Sequence, residues 1–248
     1  MAPIIDIIRH AESWEDKHPG TCSMRGPSLT DAGEQQCYKL RRSYPHANKV
    51  THLISSPMWR CVRTAVNAFE KVLNNGHKAI LLGELQETGW HDCDTGSPVK
   101  ALQNEFTCRV DVSGLDKHWW WKVQGSQWEP DVALVEERAR QARWEIRRLV
   151  CMAGDDARIV VITYGRFVHF LTQDFSGLLL DRFTTYPNLG MRSFECVDLH
   201  GTHGDAELVE TKESNESSDL PPWASLSEEE KQRLRSYAVE RVELQKAD

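Results

Sequence analysis

The residues with the clearest chemical meaning are Arg9 and His10, which directly follow an apolar run at residues 3–8. The run is short, so it predicts a β-strand whose carboxyl end carries the pair, and open α/β sheets bind ligands at that end. A guanidinium binds phosphate oxygens as a fork, and a neutral imidazole can attack phosphorus. The pair therefore suggests phosphoryl chemistry, although an isolated Arg-His dipeptide more often simply ends a strand.

Three further segments strengthen the chemical interpretation. Residues 29–36 predict the start of a helix, with Thr30 as the capping side chain. Residues 55–65 follow a second apolar strand and place Arg60 in the first turn of the next helix. A third apolar strand, at residues 158–163, runs into a turn that contains glycine and is followed by an apolar helix.

The order and chemistry of these pieces resemble the histidine phosphatase superfamily, which includes the cofactor-dependent phosphoglycerate mutases and many small phosphatases. The strongest parts are Arg-His-Ala-Glu at residues 9–12 and Ser-Ser-Pro-x-x-Arg-x-x-x-Thr-Ala at residues 55–65. The resemblance spans about the first two hundred residues, the size of a single domain. It implies an α/β fold similar to phosphoglycerate mutase, a three-layer sandwich with a mostly parallel central sheet.

The family pattern implies a role for each matching residue. His10 would be the nucleophile that becomes phosphohistidine, and Arg9 and Arg60 would clamp the transferred group. Glu87 holds the Glu position of the family's Leu-x-Glu motif and would protonate the leaving oxygen, which requires a raised pKa. For Glu84, a solvated position in the loop is the alternative. The reserve acids and other residues expected at the substrate are Ser13, Asp16, Glu84, Asp94, Gly165, Arg166 and Trp90.

The chain departs from the family at two positions. The family places a second histidine after the last core strand, and this chain has Tyr164 there. A neutral phenol donates one hydrogen bond but brings no positive charge. Asp16 stands where the mutase branch commonly offers Asn, and its carboxylate would repel phosphate unless it turns away or pairs with Arg or Lys. The loss of one preorganised donor typically removes roughly 3–4 kcal/mol of transition-state stabilisation, which would leave a slow phosphatase.

The predicted activity is hydrolysis of a small-molecule phosphate ester or diphosphate through phospho-His10, weakened by Tyr164, with no metal and no cofactor. Three explanations of Tyr164 stay open: a deliberate substitution, a natural loss of activity, or a site repurposed for other chemistry. The first alternative function is accordingly a lyase, isomerase or cyclase that uses the same pocket on an anionic metabolite. The second is a noncatalytic phosphate-binding protein.

Composition limits the classes of protein that remain. A chain of 248 residues with 40% hydrophobic content is long enough for one substantial core. The formal charge of −7 argues against nonspecific nucleic-acid binding. Seven scattered cysteines without a Cys-x-x-Cys pair argue for free thiols and against a zinc site. Neither a signal peptide nor an apolar run near ~20 residues is apparent, so we predict a cytoplasmic protein without a membrane span.

The chain is predicted to divide into a catalytic domain, residues 1–205, and an acidic linker with a C-terminal helix, residues 206–248. Between about residues 90 and 130 the periodic pattern weakens, which predicts a lid insertion. Trp90 and four further tryptophans crowd this lid. We therefore expect a bulky, partly apolar substrate, with at least two of the three tryptophans at residues 119–121 packed under the lid.

The sequence pattern also predicts the positions of the main helices. Helices are expected over residues 30–43 and 58–73. Residues 135–149 predict a further helix with one apolar face, and the five arginines at positions 138, 140, 143, 147 and 148 are expected to be solvated on its other face. The last helix is expected to start with a capping box between Ser225 and Glu228. Its apolar residues would dock either on the domain or on another subunit, so a homodimer is an open alternative.

Overall fold

The protein is described by a computed structural model that covers residues 2–18, 24–176, 178, 186–201, 204–217 and 223–244. A central sheet has helices packed on both sides. Its strands are β1 (Ile4–Arg9), β2 (Val50–Ser55), β3 (Ala79–Leu81), β4 (Val110–Asp111), β5 (Arg158–Thr163), β6 (Met191–Cys196) and β7 (Leu208–Glu210). The helices are α1 (Trp14–Lys17), α2 (Asp31–Ser43), α3 (Trp59–Ala68), α4 (Glu70–Asn74), α5 (Val99–Phe106), α6 (Val132–Ala153), α7 (Gly165–Thr172), α8 (Lys212–Glu216) and α9 (Glu228–Leu244).

The order of the strands, β4-β3-β2-β5-β1-β6-β7, brings the predicted site residues to one edge of the sheet. Strands β1 to β5 run parallel, and β6 and β7 run antiparallel to their neighbours. In the central pair, Arg9 of β1 lies opposite Thr163 of β5. His10 and Tyr164 follow these residues and therefore meet at the carboxyl edge. The predicted three-layer α/β fold with a mostly parallel sheet is confirmed.

One charged residue interrupts the apolar interior of β1. Asp6 is fully buried, and its carboxylate accepts two hydrogen bonds from Nη1 of Arg158 at 2.7 and 2.8 Å. It also accepts from Oγ of Ser193 at 2.6 Å and from the hydroxyl of Tyr44. This network links β1 to β5, β6 and the end of α2, and it satisfies the buried charge.

We expect Asp6→Ala to lower the free energy of unfolding by about 3–5 kcal/mol, because it leaves the guanidinium of Arg158 without its counter-charge. Lys49→Ala is the matched control, since it breaks the exposed ion pair with Asp156 and should cost below about 1 kcal/mol. Urea unfolding of both variants measures the difference. Equal losses in the two variants would contradict a stabilising role for the buried network.

Two of the predicted helices begin where the sequence placed them. In α2 the Thr30 hydroxyl accepts the Gly33 backbone N–H at 3.0 Å, as predicted for a capping residue. A Cβ on Gly33 would lie 2.1 Å from the carbonyl oxygen of Glu12, so only glycine lets α2 approach the loop after His10. The predicted helix at residues 58–73 is instead broken into α3 and α4, because Phe69 leaves the helical conformation.

Helix α6 buries the predicted apolar face, but three of its arginines are buried as well. Arg138, Arg143 and Arg147 are all less than a tenth exposed. Arg138 donates to carbonyls of the loop after β3, and Arg143 donates to carbonyls of α7. Guanidinium groups can be buried when backbone carbonyls accept their protons, and apolar periodicity does not reveal such acceptors. The prediction of a solvated arginine face was wrong for these three residues.

The sheet continues beyond residue 205, where the catalytic domain was predicted to end. Strand β7 pairs antiparallel with β6, with Phe194 opposite Glu210, and the Glu210 carboxylate accepts from Arg192. The acidic linker predicted within residues 206–248, ahead of the C-terminal helix, is therefore interrupted over residues 208–216 by an edge strand and a short helix. Short edge strands depend on cross-strand partners, which local composition does not show.

The predicted lid, residues 90–130, is more regular than its sequence indicated. It contains α5 and β4, and β4 extends the sheet by pairing with β3. Trp119 is fully buried and Trp120 is partly buried against the core, whereas Trp121 is about half exposed. Two of the three consecutive tryptophans therefore pack inward, as predicted.

The C-terminal helix α9 begins two residues later than predicted. Ser227, and not Ser225, forms the capping box, since its Oγ and N–H donate to the carboxylate of Glu230 and its Oγ accepts the Glu230 N–H. Ala238 and Val242 are buried, and α9 contacts α6. The apolar face of α9 thus docks on the domain. Among the residues described, no helix is both long enough and apolar enough to cross a membrane.

Candidate active site

His10 directly follows β1 and is only 4% exposed. Its Nδ1 lies 2.8 Å from the carbonyl oxygen of Ala11, so Nδ1 carries the proton and Nε2 keeps its lone pair. Burial is the main reason that the pKa of His10 falls to about 3, and the charges of Arg60 and Arg9 lower it further against Asp16. The imidazole is therefore neutral near pH 7, which is the state that a nucleophile requires.

Arg9, the last residue of β1, is held from two sides. Its Nη1 donates to the carbonyl of Tyr186 at 2.7 Å, and its Nη2 donates to the carboxylate of Asp16. Burial raises the pKa of Asp16, but His10, Arg9 and Ser13 outweigh it and lower the pKa to about 2. Asp16 is thus an ionised carboxylate that pairs with Arg9, one of the two arrangements that the sequence allowed.

Arg60 lies in the first turn of α3 and is 1% exposed. Its Nη1 donates to the carbonyl of Cys93 at 2.7 Å. Its Nη2 donates to Oδ1 of Asp94 at 3.1 Å and lies 3.4 Å from Oε2 of Glu15. The second arginine beside His10 is therefore also paired with carboxylates.

Tyr164 contacts both the imidazole and the second arginine. Its ring centroid lies 5.0 Å from that of His10 in an edge-on arrangement, and Cζ of Arg60 lies 4.6 Å from the phenol ring. Both are favourable geometries for an aromatic ring. Burial raises the pKa of Tyr164 well above its ordinary value, so the hydroxyl remains a neutral donor.

Three buried donors at this site lack an oxygen or nitrogen acceptor among the described residues. They are Nε of Arg9, Nε of Arg60 and the hydroxyl of Tyr164, which has only the weak acceptor Sγ of Cys61 beside it. A buried donor without a partner costs about 1–3 kcal/mol, so proteins rarely leave one unsatisfied. All three belong to residues next to or near His10. An oxyanion at His10 would supply the acceptors that they lack.

The sequence profile of the histidine phosphatase superfamily (branch 1) matches residues 5–212, a span that includes all of these groups. The chain belongs to the histidine phosphatase superfamily. This confirms the resemblance on which the predicted roles depend. No curated protein sequence matches the chain.

Solved structures share the fold of this superfamily member at low sequence identity. The ecdysone phosphate phosphatase from Bombix mori, in complex with tungstate, is 14% identical with a TM-score of 0.58, covering 91% of this chain and 95% of that one. Bacillus stearothermophilus YhfR is 17% identical with a TM-score of 0.51, covering 85% and 96%. The mycobacterial glucosyl-3-phosphoglycerate phosphatase in complex with VO3 is 16% identical with a TM-score of 0.51, covering 84% and 96%. These likenesses establish the fold.

Two of the acids predicted for this histidine phosphatase superfamily member lie around Arg166. Nε of Arg166 is 3.6 Å from Oε2 of Glu87, and its Nη2 is 4.0 Å from Oδ2 of Asp94. Burial raises the pKa of Asp94, but Lys122 and the neighbouring arginines outweigh it and leave the pKa lowered. Asp94 is therefore held as a carboxylate and is a poor proton donor.

The loop that carries Glu87 is held by two buried basic side chains for which the sequence indicated no role in the site. Lys122 Nζ donates to the carbonyl of Glu87 at 2.8 Å and to that of Gly89. Arg138 donates to the carbonyls of Glu84 at 3.0 Å and Glu87 at 3.3 Å. The only sequence signals for this role were a lysine directly after the tryptophan triplet and an arginine beside the apolar face of α6. Both side chains position the loop through its backbone.

Ser13, Gly165 and Trp90 were also predicted to lie at the substrate. Ser13 is fully buried, and its N–H and Oγ each donate to Oδ2 of Asp16 at 2.8 Å, so it orients that carboxylate. Gly165 begins α7 directly after Tyr164. Trp90 is partly buried in the segment that follows the Glu87 loop.

Glu84 does not join this cluster. It lines a surface groove with Arg140 and Trp144 of α6, because a single helical turn at residues 83–85 directs it outward while Leu85 is buried. Its prediction as a reserve acid and substrate contact is thereby corrected. The loop alternative considered for Glu84 agrees better with this position.

Glu15 is the carboxyl group of the site that the sequence analysis missed. It lies next to Asp16 in α1, and one ligand atom each of Glu15, Cys93 and Asp94 lie within 4.8 Å of one another. Such a trio could hold a metal ion, but the guanidinium of Arg60 contacts both carboxyls and would repel a cation. The cluster is better suited to proton transfer than to metal binding.

Proposed function

We propose that the chain hydrolyses small-molecule phosphate monoesters through a phosphohistidine formed on His10. The observation that carries this proposal is the set of three buried donors that find no oxygen or nitrogen acceptor in the described part of the chain, beside a neutral imidazole whose Nε2 is available. A phosphoryl group offers three oxygens for such donors, and an unprotonated nitrogen can attack its phosphorus. Membership of the superfamily supports the same chemistry.

The reaction would proceed in two steps. Nε2 of His10 attacks phosphorus, the ester P–O bond breaks, and the leaving oxygen takes a proton from a carboxylic acid. Nε of Arg9, Nε of Arg60 and the Tyr164 hydroxyl would donate to the phosphoryl oxygens as negative charge develops. Water then attacks the phosphohistidine and releases phosphate. By the family pattern, Glu87 is the acid.

The charge balance of the site predicts slow turnover. Arg9 is paired with Asp16, Arg60 with Asp94 and Arg166 with Glu87, so a phosphate dianion must compete with carboxylates that are already in place. Tyr164 adds a donor but no positive charge. The absence of one charged donor raises the activation free energy by roughly 3–4 kcal/mol, which lowers the rate about a hundred- to a thousandfold.

The same charge balance favours a second candidate. Arginines that are already neutralised suit an anionic metabolite of lower charge, on which His10, Glu87 and Tyr164 would move protons as in a lyase, isomerase or cyclase. For either candidate, we propose a bulky, partly apolar substrate contacted by the two lid tryptophans that do not pack into the core, Trp90 and Trp121.

Phosphate release from a panel of aryl, prenyl and small polar phosphate esters tests the proposal. We expect slow release, fastest from the esters with apolar bodies, and acid-labile phosphate bound to the protein after an alkaline quench. If every ester binds but none releases phosphate, the hydrolase proposal fails. The repurposed enzyme or the noncatalytic binding protein would then be supported.

A further inference from the structure

Glu15 reaches the candidate site from its partly exposed rim. It lies in α1, five residues after His10, and its side chain as a whole is 26% exposed. Its Oε2 atom is buried, lies 3.4 Å from Nη2 of Arg60 and has no hydrogen-bond partner among the described residues. The carboxyl group therefore extends from solvent to the arginine that lies on the Tyr164 ring.

The three neighbouring carboxyl groups are already engaged as acceptors. Asp16 and Asp94 each accept a hydrogen bond from an arginine. Glu87 accepts the backbone N–H of Thr88 through Oε1 at 2.8 Å, and its Oε2 lies near an arginine. Hydrogen bonds to a carboxylate favour its charged form, and the pKa values of Asp16 and Asp94 are lowered. Oε2 of Glu15 lies 3.4 Å from Nη2 of Arg60 but accepts no hydrogen bond from the described residues, so a proton on this oxygen displaces none.

We propose that Glu15 is the carboxylic acid that protonates the leaving oxygen of the substrate. The assignment rests on the phosphohistidine reaction proposed above and replaces Glu87 as its proton donor. Glu87 keeps a separate task, since its contact with Arg166 holds that cation at the edge of the site.

The surroundings of Glu15 favour its protonated form. Burial is the largest cause that raises its pKa to about 7. The charged groups that face it are Arg60 from α3, Arg166 from α7, Asp16 from its own helix, and Glu87 and Asp94 from the loops after β3. The arginines lower the pKa and the three carboxylates raise it. Glu15 therefore holds a proton between about pH 4.5 and 7, where an ordinary glutamate has lost it.

The proton balance of the reaction is complete with Glu15 as donor. In the first step the Nε2–P bond forms, the ester P–O bond breaks with its electron pair on oxygen, and the Glu15 proton passes to that oxygen. In the second step water attacks phosphorus and gives a proton to the Glu15 carboxylate. The N–P bond then breaks, its electron pair returns to Nε2 of His10, and phosphate leaves.

The test compares two leaving groups. An alkyl phosphate expels a strongly basic alkoxide that needs a proton, whereas p-nitrophenyl phosphate expels a weakly basic phenolate that does not. We expect Glu15→Gln to lower kcat/KM for the alkyl ester by about a hundredfold and to leave the nitrophenyl ester little changed. The loss of activity above about pH 7 with the alkyl ester should disappear in Glu15→Gln and persist in Glu15→Asp, which keeps an acid.

Glu87→Gln is the matched variant, and we expect it to slow both esters to a similar extent. If Glu87→Gln instead shows the dependence on leaving group and Glu15→Gln does not, the assignment is overturned while the phosphohistidine mechanism stands. Equal losses for both esters in Glu15→Gln indicate a structural role and also overturn the assignment. If the unaltered protein turns over neither ester, the proposed function fails, and the assignment fails with it.

Discussion

Replacing His10 with alanine is expected to lower kcat/KM for phosphate esters by at least about 10⁴-fold. The change removes the proposed nucleophile, and the loss of one member of a catalytic group removes most of the rate enhancement of the whole group. The acid-labile phosphate on the protein should disappear as well. Both are measured by phosphate release and by radiolabelled phosphate retained after an alkaline quench. Among the described residues of the cluster, only His10 has a neutral ring nitrogen and lies buried beside two arginines.

His77→Ala is the control for this experiment. His77 is exposed and lies before the amino end of β3, at the opposite edge of the sheet from the carboxyl ends. Its replacement should leave turnover unchanged. Phosphate release that survives in His10→Ala at the original rate would show that another group attacks phosphorus, and the phosphohistidine mechanism would have to be abandoned.

Tyr164→His is expected to raise kcat/KM for phosphate esters by about 10²–10³-fold, since it restores a side chain that can donate and carry positive charge. In the protein, the Tyr164 hydroxyl is a buried neutral donor, and the ring lies against Arg60 and His10. An imidazole at this position would add charge where two arginines are already neutralised by carboxylates. The measurement is steady-state hydrolysis of the best ester in the panel.

Tyr164→Phe separates the hydroxyl from the ring. The phenyl ring keeps its contacts with Arg60 and His10 but cannot donate, so we expect a loss of roughly ten- to hundredfold, the value of one hydrogen bond to a charged group. If Tyr164→His leaves hydrolysis unchanged and abolishes another activity, the tyrosine serves a different reaction. The repurposed-enzyme alternative would then be preferred over a weakened phosphatase.

Local sequence rules were sufficient wherever neighbouring residues decide the conformation. The apolar run before Arg9 becomes a central strand because both of its faces are covered, and the Arg-His pair therefore emerges at the carboxyl edge. Thr30 caps α2 through its own hydroxyl. Arg60 lies in the first turn of α3 because the helix begins a short connection after the end of β2. These features depend on spacing along the chain, which is visible in the sequence.

Electrostatic pairing within the site depended on tertiary contacts. Asp16 stands near Arg9 in the chain, but Glu15 meets Arg60 only because α1 and α3 come together at the same edge. Arg138 lies on a helix whose period suggested a solvated face, and it instead holds the Glu87 loop. Burial and partner charges set the protonation of such groups, and neither is encoded in a local pattern.

By itself, the sequence determined the α/β fold and the positions of His10 and the two arginines beside it, because strand ends and helix starts are specified by nearby residues. Only the tertiary structure decided which carboxylates neutralise those arginines, where Tyr164 places its ring, and that β7 joins the sheet. These outcomes depend on contacts between segments far apart in the chain. The free energy of such contacts is the balance between packing and charge attraction, which favour them, and the desolvation of charged groups, which opposes them.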